Sequence, residues 1–357
     1  KIAYDAIKYQ QRDGWSHRDV LRLAHPKSPK HNDLFAYITN KPYDGLPEIV
    51  SAFETAKKSD KRTVIKLIEE FGLTREMIPT ELLKEADVWA ALLENMPMTA
   101  MVRNLGNMSK VGLIKPMSKV TKTIVERLQD KDRIKGARLH PLALLVALNT
   151  YASGSGARGG GSWTVAQNIV NALDDAFYLA FDSIVPSGKR TLIGLDVSGS
   201  MGWSTINGLP GITPAVGAAA MCMVTARTEP EHHIFAFADT FRDLGITDRQ
   251  RLQDVVKATA VRAGGTDCSL PMMWALANKV EVDTFIVYTD NETWAGRVHP
   301  FQALNEYRQK TGIPAKLIVV GMQSNNFTIA DPSDAGMLDV VGFDTAAPNV
   351  MANFARD

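Results

Sequence analysis

The sequence predicts an all-helical domain followed by a doubly wound α/β domain, and the hydrophobic pattern predicts this division. Up to about residue 181, apolar side chains recur at three- and four-residue spacing, which is typical of amphipathic helices. After Pro186 the pattern changes to short, nearly continuous apolar runs separated by helical segments, which is typical of a parallel sheet covered on both faces. A chain of 357 residues is long enough for two domains. We therefore place the helical domain at residues 1–186 and the α/β domain at residues 187–357.

The helical domain is predicted from segments that share the same amphipathic spacing. They are Ile2–Arg12, Arg18–Ala24, Leu46–Lys57, Lys61–Phe71, Glu85–Glu94, Lys119–Leu128, Pro141–Tyr151 and Thr164–Phe181. Ser16 precedes one helix as an N-cap, and Asp19 stands where a looser form of the capping box needs an acid. Pro26 ends that helix, because its ring disfavours helical geometry at His25. Short helices joined by short turns favour stacked helix pairs of the HEAT kind.

The α/β domain is predicted from apolar runs and the helices between them. The runs are Thr191–Leu195, His233–Phe237, Thr284–Tyr288 and Lys316–Val320. The helical segments are Pro214–Thr228, Gln250–Ala258, Leu270–Lys279 and Pro300–Lys310. Strands that are apolar on both faces indicate a parallel sheet with helices on both sides. The Ala-rich helix from Ala215 is apolar almost all round, which is typical of a helix that packs centrally.

The composition is that of an ordinary globular protein with an uneven distribution of charge. Residues 1–190 hold 28 Lys and Arg against 21 Asp and Glu, whereas the remainder holds 12 against 18. A basic half and an acidic half suggest a polyanion partner for the first and a metal for the second, with ordinary surface variation as the alternative. The two cysteines, Cys222 and Cys268, lie in apolar helical contexts, which favours buried thiols and a cytoplasmic protein. The longest apolar stretch, Ile212–Ala226, is too short for a membrane span, and we expect no membrane partner.

Five oxygen-bearing side chains follow the ends of predicted strands. Asp196, Ser198 and Ser200 come directly after the first strand, Asp290 follows another strand, and Thr266 lies in a Gly-Gly-Thr loop between them. Ligands of such sheets bind outside the carboxyl ends of the strands, so these side chains can converge on one point. Hydroxyls with one or two carboxylates suit Mg²⁺, which prefers six oxygens. The sequence therefore predicts a divalent-cation site, and the alternative is a simple turn with a helix cap.

This Asp-x-Ser-x-Ser pattern with a distal Thr and Asp resembles the metal-ion-dependent adhesion site (MIDAS) of von Willebrand factor A domains. The resemblance implies that the serines and the threonine bind the ion directly or nearly so, and that the aspartates act partly through water. It also implies that an acidic group of a partner, here unknown, completes the coordination.

Motifs that would indicate catalysis are weak in this sequence. Ser200 fails the Gly-x-Ser-x-Gly elbow because Ser198 replaces the first glycine, and no sequence feature pairs a histidine with either serine. The glycine-rich stretch 154–161 lacks the Gly-Lys-Ser/Thr of a phosphate-binding loop, so we expect a flexible loop there. Cys/His zinc spacing and a dinucleotide fingerprint are also missing from the sequence. We predict that the protein is not an enzyme.

The first 27 residues combine basic side chains with aromatic ones. Lys8 and Arg12 are four apart, and on one helix they would share a face. The neighbouring polar and aromatic side chains are Tyr9, Trp15, His17, Arg18, Arg22, His25 and Lys27. A basic surface with interleaved aromatics fits phosphate contacts and base stacking, and the alternative is a solvated helix face with its aromatics packed inward.

Several segments of this sequence resemble the Ro autoantigen family, whose helical part is the TROVE module. The segments are Lys8 to His25, Glu94 to Gly106, Ala263 to Met272, Thr289 to Thr293, and Phe327 to Pro332. The resemblance runs through essentially the whole chain in order. It implies a ring of HEAT-type repeats closed by a von Willebrand A-like domain, and this sequence begins after several of the family's helical repeats. Whether a ring of repeats closes in this chain stays open at this point.

The resemblance implies an RNA-binding scaffold in noncoding-RNA quality control. Ro proteins bind small noncoding Y RNAs on their outer surface and the 3′ ends of misfolded RNAs in a central hole. The family's Y RNA contacts match Lys8, Arg12 and His25, and we add His17 and Arg18 as neighbouring contacts. In bacterial members, Y RNA tethers the exoribonuclease polynucleotide phosphorylase. The alternative function is a metal-dependent protein-binding module for which the helices are only a spacer.

Overall fold

The computed structural model describes most of the chain, in two compact units. It describes residues 1–156, 161–203, 205–206, 211–260, 264–290, 295–323, 329–342 and 346–357. One unit comprises residues 1–124 and 162–166, and the other comprises residues 125–161 and 167–357. The predicted loop residues 157–160 and the motif residues 263, 291–293 and 327–328 lie outside the described part. The second unit thus contains the sheet together with the last helices of the predicted helical region.

The first unit is helical apart from one short hairpin. Its elements are α1 (Ile2–Lys8), β1 (Gln11–Arg12), β2 (Trp15–Ser16), α2 (His17–Ala24), α3 (Asn32–Ile38), α4 (Glu48–Ala56), α5 (Lys61–Phe71), α6 (Ala86–Glu94), α7 (Met98–Lys110) and the start of α8 (Lys119–Gln129). Helices α4, α5 and α6 pack in succession. Helix α5 shows why these segments form helices: the Asp60 side chain accepts a hydrogen bond from Thr63 N, Gly72 ends the helix in the left-handed region, and Val64 and Ile68 are buried on one face.

The predicted helix over Ile2–Arg12 is wrong beyond Lys8. Helix α1 ends there, and Arg12 lies on β1, which pairs with β2 in an antiparallel hairpin. The turn residues Asp13 (φ 52°) and Gly14 (φ 83°) are both left-handed, as a tight two-residue hairpin requires. Asp-Gly is the sequence signal for this turn. It was overlooked because the apolar residues before it have helical spacing.

The start of α2 confirms the prediction made from its cap. The Ser16 side chain accepts from Asp19 N, and the Asp19 carboxylate accepts from Ser16 N, which completes the capping box. The helix ends at Ala24, and His25 adopts the left-handed conformation before Pro26. Helices α3 and α7 were not predicted, since α3 is short and α7 carries polar residues at buried positions such as Asn104.

The second unit is built around a six-stranded sheet. Its helices before the sheet are the end of α8, α9 (Lys131–Gly136), α10 (Pro141–Ala152) and α11 (Gln167–Leu179). Its strands are β3 (Thr191–Asp196), β4 (His232–Phe237), β5 (Phe241–Asp243), β6 (Thr284–Thr289), β7 (Lys316–Gly321) and β8 (Met337–Val341). The helices between and after them are α12 (Pro214–Thr228), α13 (Leu252–Thr259), α14 (Leu270–Ala277), α15 (Pro300–Thr311) and α16 (Ala347–Arg356).

The sheet has the order β5-β4-β3-β6-β7-β8, which confirms a doubly wound α/β domain. The four predicted strands are its central ones, and β3 is buried along its whole length. These four strands pair in parallel, as predicted, and the sheet is mixed because the unpredicted edge strand β5 pairs antiparallel with β4. The edge strands β5 and β8 are partly exposed and lack continuous apolar runs, so their sequences carried no strand signal.

Helices cover both faces of the sheet. Phe285 and Val287 of β6 belong to a core cluster with side chains of α14 and α15, and Phe285 meets Tyr307 edge-to-face. The alternate residues of β6 face α12 and α16. As predicted, α12 is buried almost all round, and Cys222 and Cys268 are buried cysteines that are not joined in a disulfide. None of the described helices is long and apolar enough to span a membrane.

Gly194 in β3 is a packing constraint that can be tested. A Cβ at this position would lie 2.6 Å from Pro271 Cγ and 3.3 Å from Phe237 Cδ1, so Gly194→Ala forces the core to shift. We expect the free energy of unfolding to fall by about 1–3 kcal/mol, measured by urea denaturation. Gly136→Ala is the matched control, because a Cβ there meets no atom within 4 Å and alanine favours the end of α9. Equal stability of Gly194→Ala and wild type would contradict this account.

Candidate metal centre and nucleic-acid interface

Asp196 occupies the last position of β3 and is buried, with 3% of its surface exposed. Its Oδ1 accepts a hydrogen bond of 2.8 Å from Ser198 N, and its Oδ2 accepts one of 2.8 Å from Thr289 Oγ1. Thr289 ends β6, the strand that pairs with β3. The carboxylate is therefore fixed between the ends of the two central strands, where ligands of such sheets bind.

The predicted hydroxyls lie beside this carboxylate. Ser198 Oγ and Ser200 Oγ are 3.0 Å apart, at the start of a short 3₁₀ helix that follows β3. Asp290 directly follows β6 and is close enough to influence the charge of Asp196. The structure thus brings Asp196, Ser198, Ser200 and Asp290 to one end of β3 and β6.

Thr266 is buried in the loop that precedes α14. Its carbonyl accepts from Ala295 N at 3.2 Å, and the next residue, Asp267, donates its N–H to Ala238 O just beyond β4. The loop is tied by backbone bonds to the carboxyl end of β4, next to β3 in the sheet. Thr266 is therefore held at the same edge of the sheet as the other predicted ligands.

The electrostatics of Asp196 favour a bound cation. Burial raises the pKa of its carboxyl to about 6, Asp290 adds to the rise, and the hydrogen bonds from Ser198 and Thr289 oppose it. Within the described residues, no group of three or more His, Cys, Asp or Glu side chains is arranged for a metal. The oxygen-bearing side chains at this end of the sheet are three hydroxyls and two carboxylates, a set that would suit a hard cation such as Mg²⁺.

Sequence reasoning missed three residues that organise this site. Thr289 orients Asp196, Asp267 accepts from Ser269 N and Oγ at 3.0 and 2.6 Å, and the Asp239 carboxylate accepts from Gly265 N. The signal for Thr289 was its place immediately before Asp290. Asp239 carried no comparable signal, because its partner lies 26 residues further along the chain.

The basic residues at the start of the chain lie on three different elements. Lys8 ends α1, with Nζ 5.2 and 5.3 Å from the ring centroids of Tyr9 and Tyr4. Arg12 lies on β1 with a side chain that is 87% exposed, and its nearest partner is the equally exposed Asp13 at 3.6 Å. His25 is exposed at the end of α2. The expectation that Lys8 and Arg12 share a helix face is wrong, because the chain leaves the helix between them.

The two other predicted contacts are partly built into the fold. Arg18 Nε donates to Ile38 O at 3.2 Å, which ties α2 to the end of α3. His17 is half-buried, and its Nε2 has no hydrogen-bond partner among the described residues. The aromatic side chains are exposed instead, Tyr9 by 52% and Trp15 by 56%. This outward position favours the stacking interpretation over inward-packed aromatics.

Comparison with known proteins identifies the family. Residues 190–355 match the model of the Ro60 vWA domain, and residues 61–150 match that of the TROVE domain. RNA-binding protein RO60 of Deinococcus radiodurans is 44% identical over 369 residues, covering 100% of this chain and 68% of the relative. The chain belongs to the Ro60 family. The helical part and the von Willebrand A-like part of the fold are therefore those of this family.

A second relative and a solved structure agree with this assignment. RNA-binding protein RO60 of Caenorhabditis elegans is 37% identical over 408 residues, which cover 99% of this chain and 63% of the relative. The crystal structure of the Deinococcus radiodurans RO (RSR) protein superposes with a TM-score of 0.91 at 43% identity. That match covers 100% of this chain and 73% of the solved chain. This chain spans about two thirds of the length of the curated relatives it matches.

Arg18 is either a structural anchor between α2 and α3 or a free RNA contact, and hydrogen–deuterium exchange tests the anchoring role. Arg18→Ala removes the bond to Ile38 O, a charge-assisted bond worth about 1–2 kcal/mol, so amides of α2 and α3 should exchange faster. Arg22→Ala, on the exposed side of the same helix, is the control and should leave exchange unchanged. If both variants exchange like wild type, Arg18 has no anchoring role.

Proposed function

We propose that this protein binds RNA through the surface formed by Lys8, Arg12 and His25. The observation that carries the proposal is the exposure of Arg12 and His25, with the half-buried Lys8, in the same segment of the chain as the exposed rings of Tyr9 and Trp15. The assignment is supported by the relatives, which are named RNA-binding proteins, and by the TROVE domain match. The Lys8 ammonium and the exposed Arg12 guanidinium are suited to phosphate contacts, and the exposed rings are suited to stacking on bases.

The geometry favours a structured RNA that contacts several elements at once. Lys8, Arg12 and His25 extend from a helix, a hairpin and a helix end, so the backbone of an RNA stem can meet all three. By family resemblance the RNA is a Y RNA, and 3′ ends of misfolded noncoding RNAs are a second substrate in RNA quality control. Polynucleotide phosphorylase is then a partner tethered through the Y RNA.

The RNA proposal is tested with a labelled stem-loop RNA that carries a single-stranded 3′ tail. Lys8→Ala/Arg12→Ala removes two phosphate contacts, so affinity near 150 mM salt should fall roughly tenfold or more. The slope of log affinity against log salt concentration should become less steep by about 2. Arg62→Ala/Lys66→Ala removes the same charge from the exposed face of α5 and is the matched control.

Two outcomes contradict the RNA proposal. If both double variants weaken binding equally, the contribution is net charge alone, and the Lys8/Arg12 surface has no special role. If wild type binds none of the RNA, the protein-binding alternative becomes the better account of the chain.

We propose a second function for the end of the sheet, the binding of a divalent cation, Mg²⁺ by its donor chemistry. Ser198, Ser200 and Thr266 would contribute hydroxyls, and Asp196 and Asp290 would act partly through water, since both oxygens of Asp196 already accept hydrogen bonds. A bound cation would supply a positive charge to which an acidic group of a partner could bind. The support is the convergence of hydroxyls on a buried carboxylate whose pKa is raised by burial.

The metal proposal predicts that Mg²⁺ raises the Tm of wild type and that EDTA removes this rise. Mg²⁺ at a hundred times its dissociation constant should stabilise wild type by about 2.7 kcal/mol, a rise in Tm of roughly 5–10 °C. Asp196→Asn should show no rise, yet in EDTA it should be at least as stable as wild type, because it removes a buried charge. Asp248→Asn, exposed and outside the site, is the control. If the Tm of wild type is the same in Mg²⁺ and in EDTA, the metal proposal is wrong.

A further inference from the structure

A cavity of about 670 Å³ lies in the second unit, on the opposite face of the sheet from α14 and α15. It is bounded by α12, α16 and the sheet, and it begins at the paired residues Thr191 and Thr284, the amino ends of β3 and β6. Asp196 stands at the other end of β3. The lining extends along β6 to Tyr288, but none of the predicted metal ligands lines the cavity, so the two sites are distinct.

The wall of this cavity formed by the sheet is not packed as a core wall is. Ile286 lies in β6, between β3 and β7, and is only half-buried, because its side chain faces the cavity. The hydroxyls of Thr284 and Ser183 are buried and have no hydrogen-bond partner among the described residues. Buried hydroxyls normally find a partner, so two without one beside a cavity indicate that a ligand supplies it.

The rim of the cavity carries cations that the protein does not neutralise. Lys135 and Arg138, near the end of α9, line the cavity, are exposed, and form no ion pair within the described part of the chain. Of the two acids of the rim, Asp182 pairs with Lys131 at 2.5 Å, whereas Glu229 accepts only from the backbone amides Ser187 N and Gly188 N at 2.6 and 3.0 Å and forms no ion pair within the described residues. Arg356 also lines the cavity, so the cations outnumber the one unpaired acid and the net charge of the rim is positive.

We propose that this cavity binds a small organic phosphate of mononucleotide size. The phosphate would lie at Lys135 and Arg138, since these donors have no other anion to bind, and a planar ring would lie against Ile286 and Met221. The Thr284 and Ser183 hydroxyls would hydrogen-bond the polar groups of the ligand. The volume lies within the range of ligand pockets, about 300–1,000 Å³. The site does not depend on the RNA surface, which belongs to the other unit.

The proposal is tested by calorimetric titration of the full chain with adenosine 5′-monophosphate, adenosine and ribose 5-phosphate. Adenosine 5′-monophosphate should bind with one site per chain and at least tenfold more tightly than either fragment. Lys135→Ala/Arg138→Ala should weaken its binding at least tenfold and leave the weak binding of adenosine unchanged. Arg249→Ala/Lys257→Ala removes the same charge from exposed positions of the same unit that do not line the cavity, and it should bind like wild type.

A second pair of variants tests the interior. Thr284→Val keeps the shape of the side chain, removes the unpartnered hydroxyl, and should weaken binding about threefold or more without loss of Tm. Ala352→Trp places a large side chain from α16 into the cavity and should abolish binding. Equal affinity of adenosine and its monophosphate, or unchanged binding by Lys135→Ala/Arg138→Ala, would overturn the proposal. So would the absence of saturable binding of the monophosphate to wild type.

Discussion

The burial of one carboxylate at the end of a central strand constrains much of the second unit. Asp196 can be buried only if donors reach both of its oxygens, and these come from Ser198 N just after its own strand and from Thr289 at the end of the neighbouring strand. The pairing of β3 with β6 fixes the distance between those donors. The same arrangement places the Ser198 and Ser200 hydroxyls side by side, so a fold requirement and a binding geometry are met by the same hydrogen bonds.

The N-terminal surface depends on a comparable local constraint. Asp13 and Gly14 adopt left-handed conformations that reverse the chain, so Arg12 leaves the direction of α1 and Trp15 is held outward on β2. The Ser16 capping box then starts α2 immediately after the hairpin. Cations and aromatics that a continuous helix would spread along one face are displayed on three elements instead.

Features that depend on local periodicity or on one short motif could be predicted from the sequence. Contacts with residues far away in the chain could not. The central strands were predictable because burial on both faces leaves continuous apolar runs, as in Thr191–Leu195, whereas β5 has the partly exposed sequence Phe241-Arg242-Asp243. The metal motif was predictable because Asp196, Ser198 and Ser200 follow one strand. Arg18 was interpreted as a free cation, since its acceptor, Ile38 O, lies twenty residues away. The same limit applied to Thr289 and Asp239.

The cavity could not be predicted from the sequence at all, because its lining comes from segments that are far apart in the chain. Lys135 comes from α9 and Arg138 from just after it, the floor comes from β3 and β6, and further walls come from α12 and α16. None of these segments carries a motif for a ligand. Thr284 begins an apolar run that predicts a strand, which explains its burial but not its unpartnered hydroxyl. Strand β6 thus carries a threonine at each end: the Thr289 hydroxyl donates to Asp196, whereas the Thr284 hydroxyl has no partner among the described residues. Since strand formation requires a polar group at neither end, the two threonines are explained by the binding sites proposed above and not by the sheet itself.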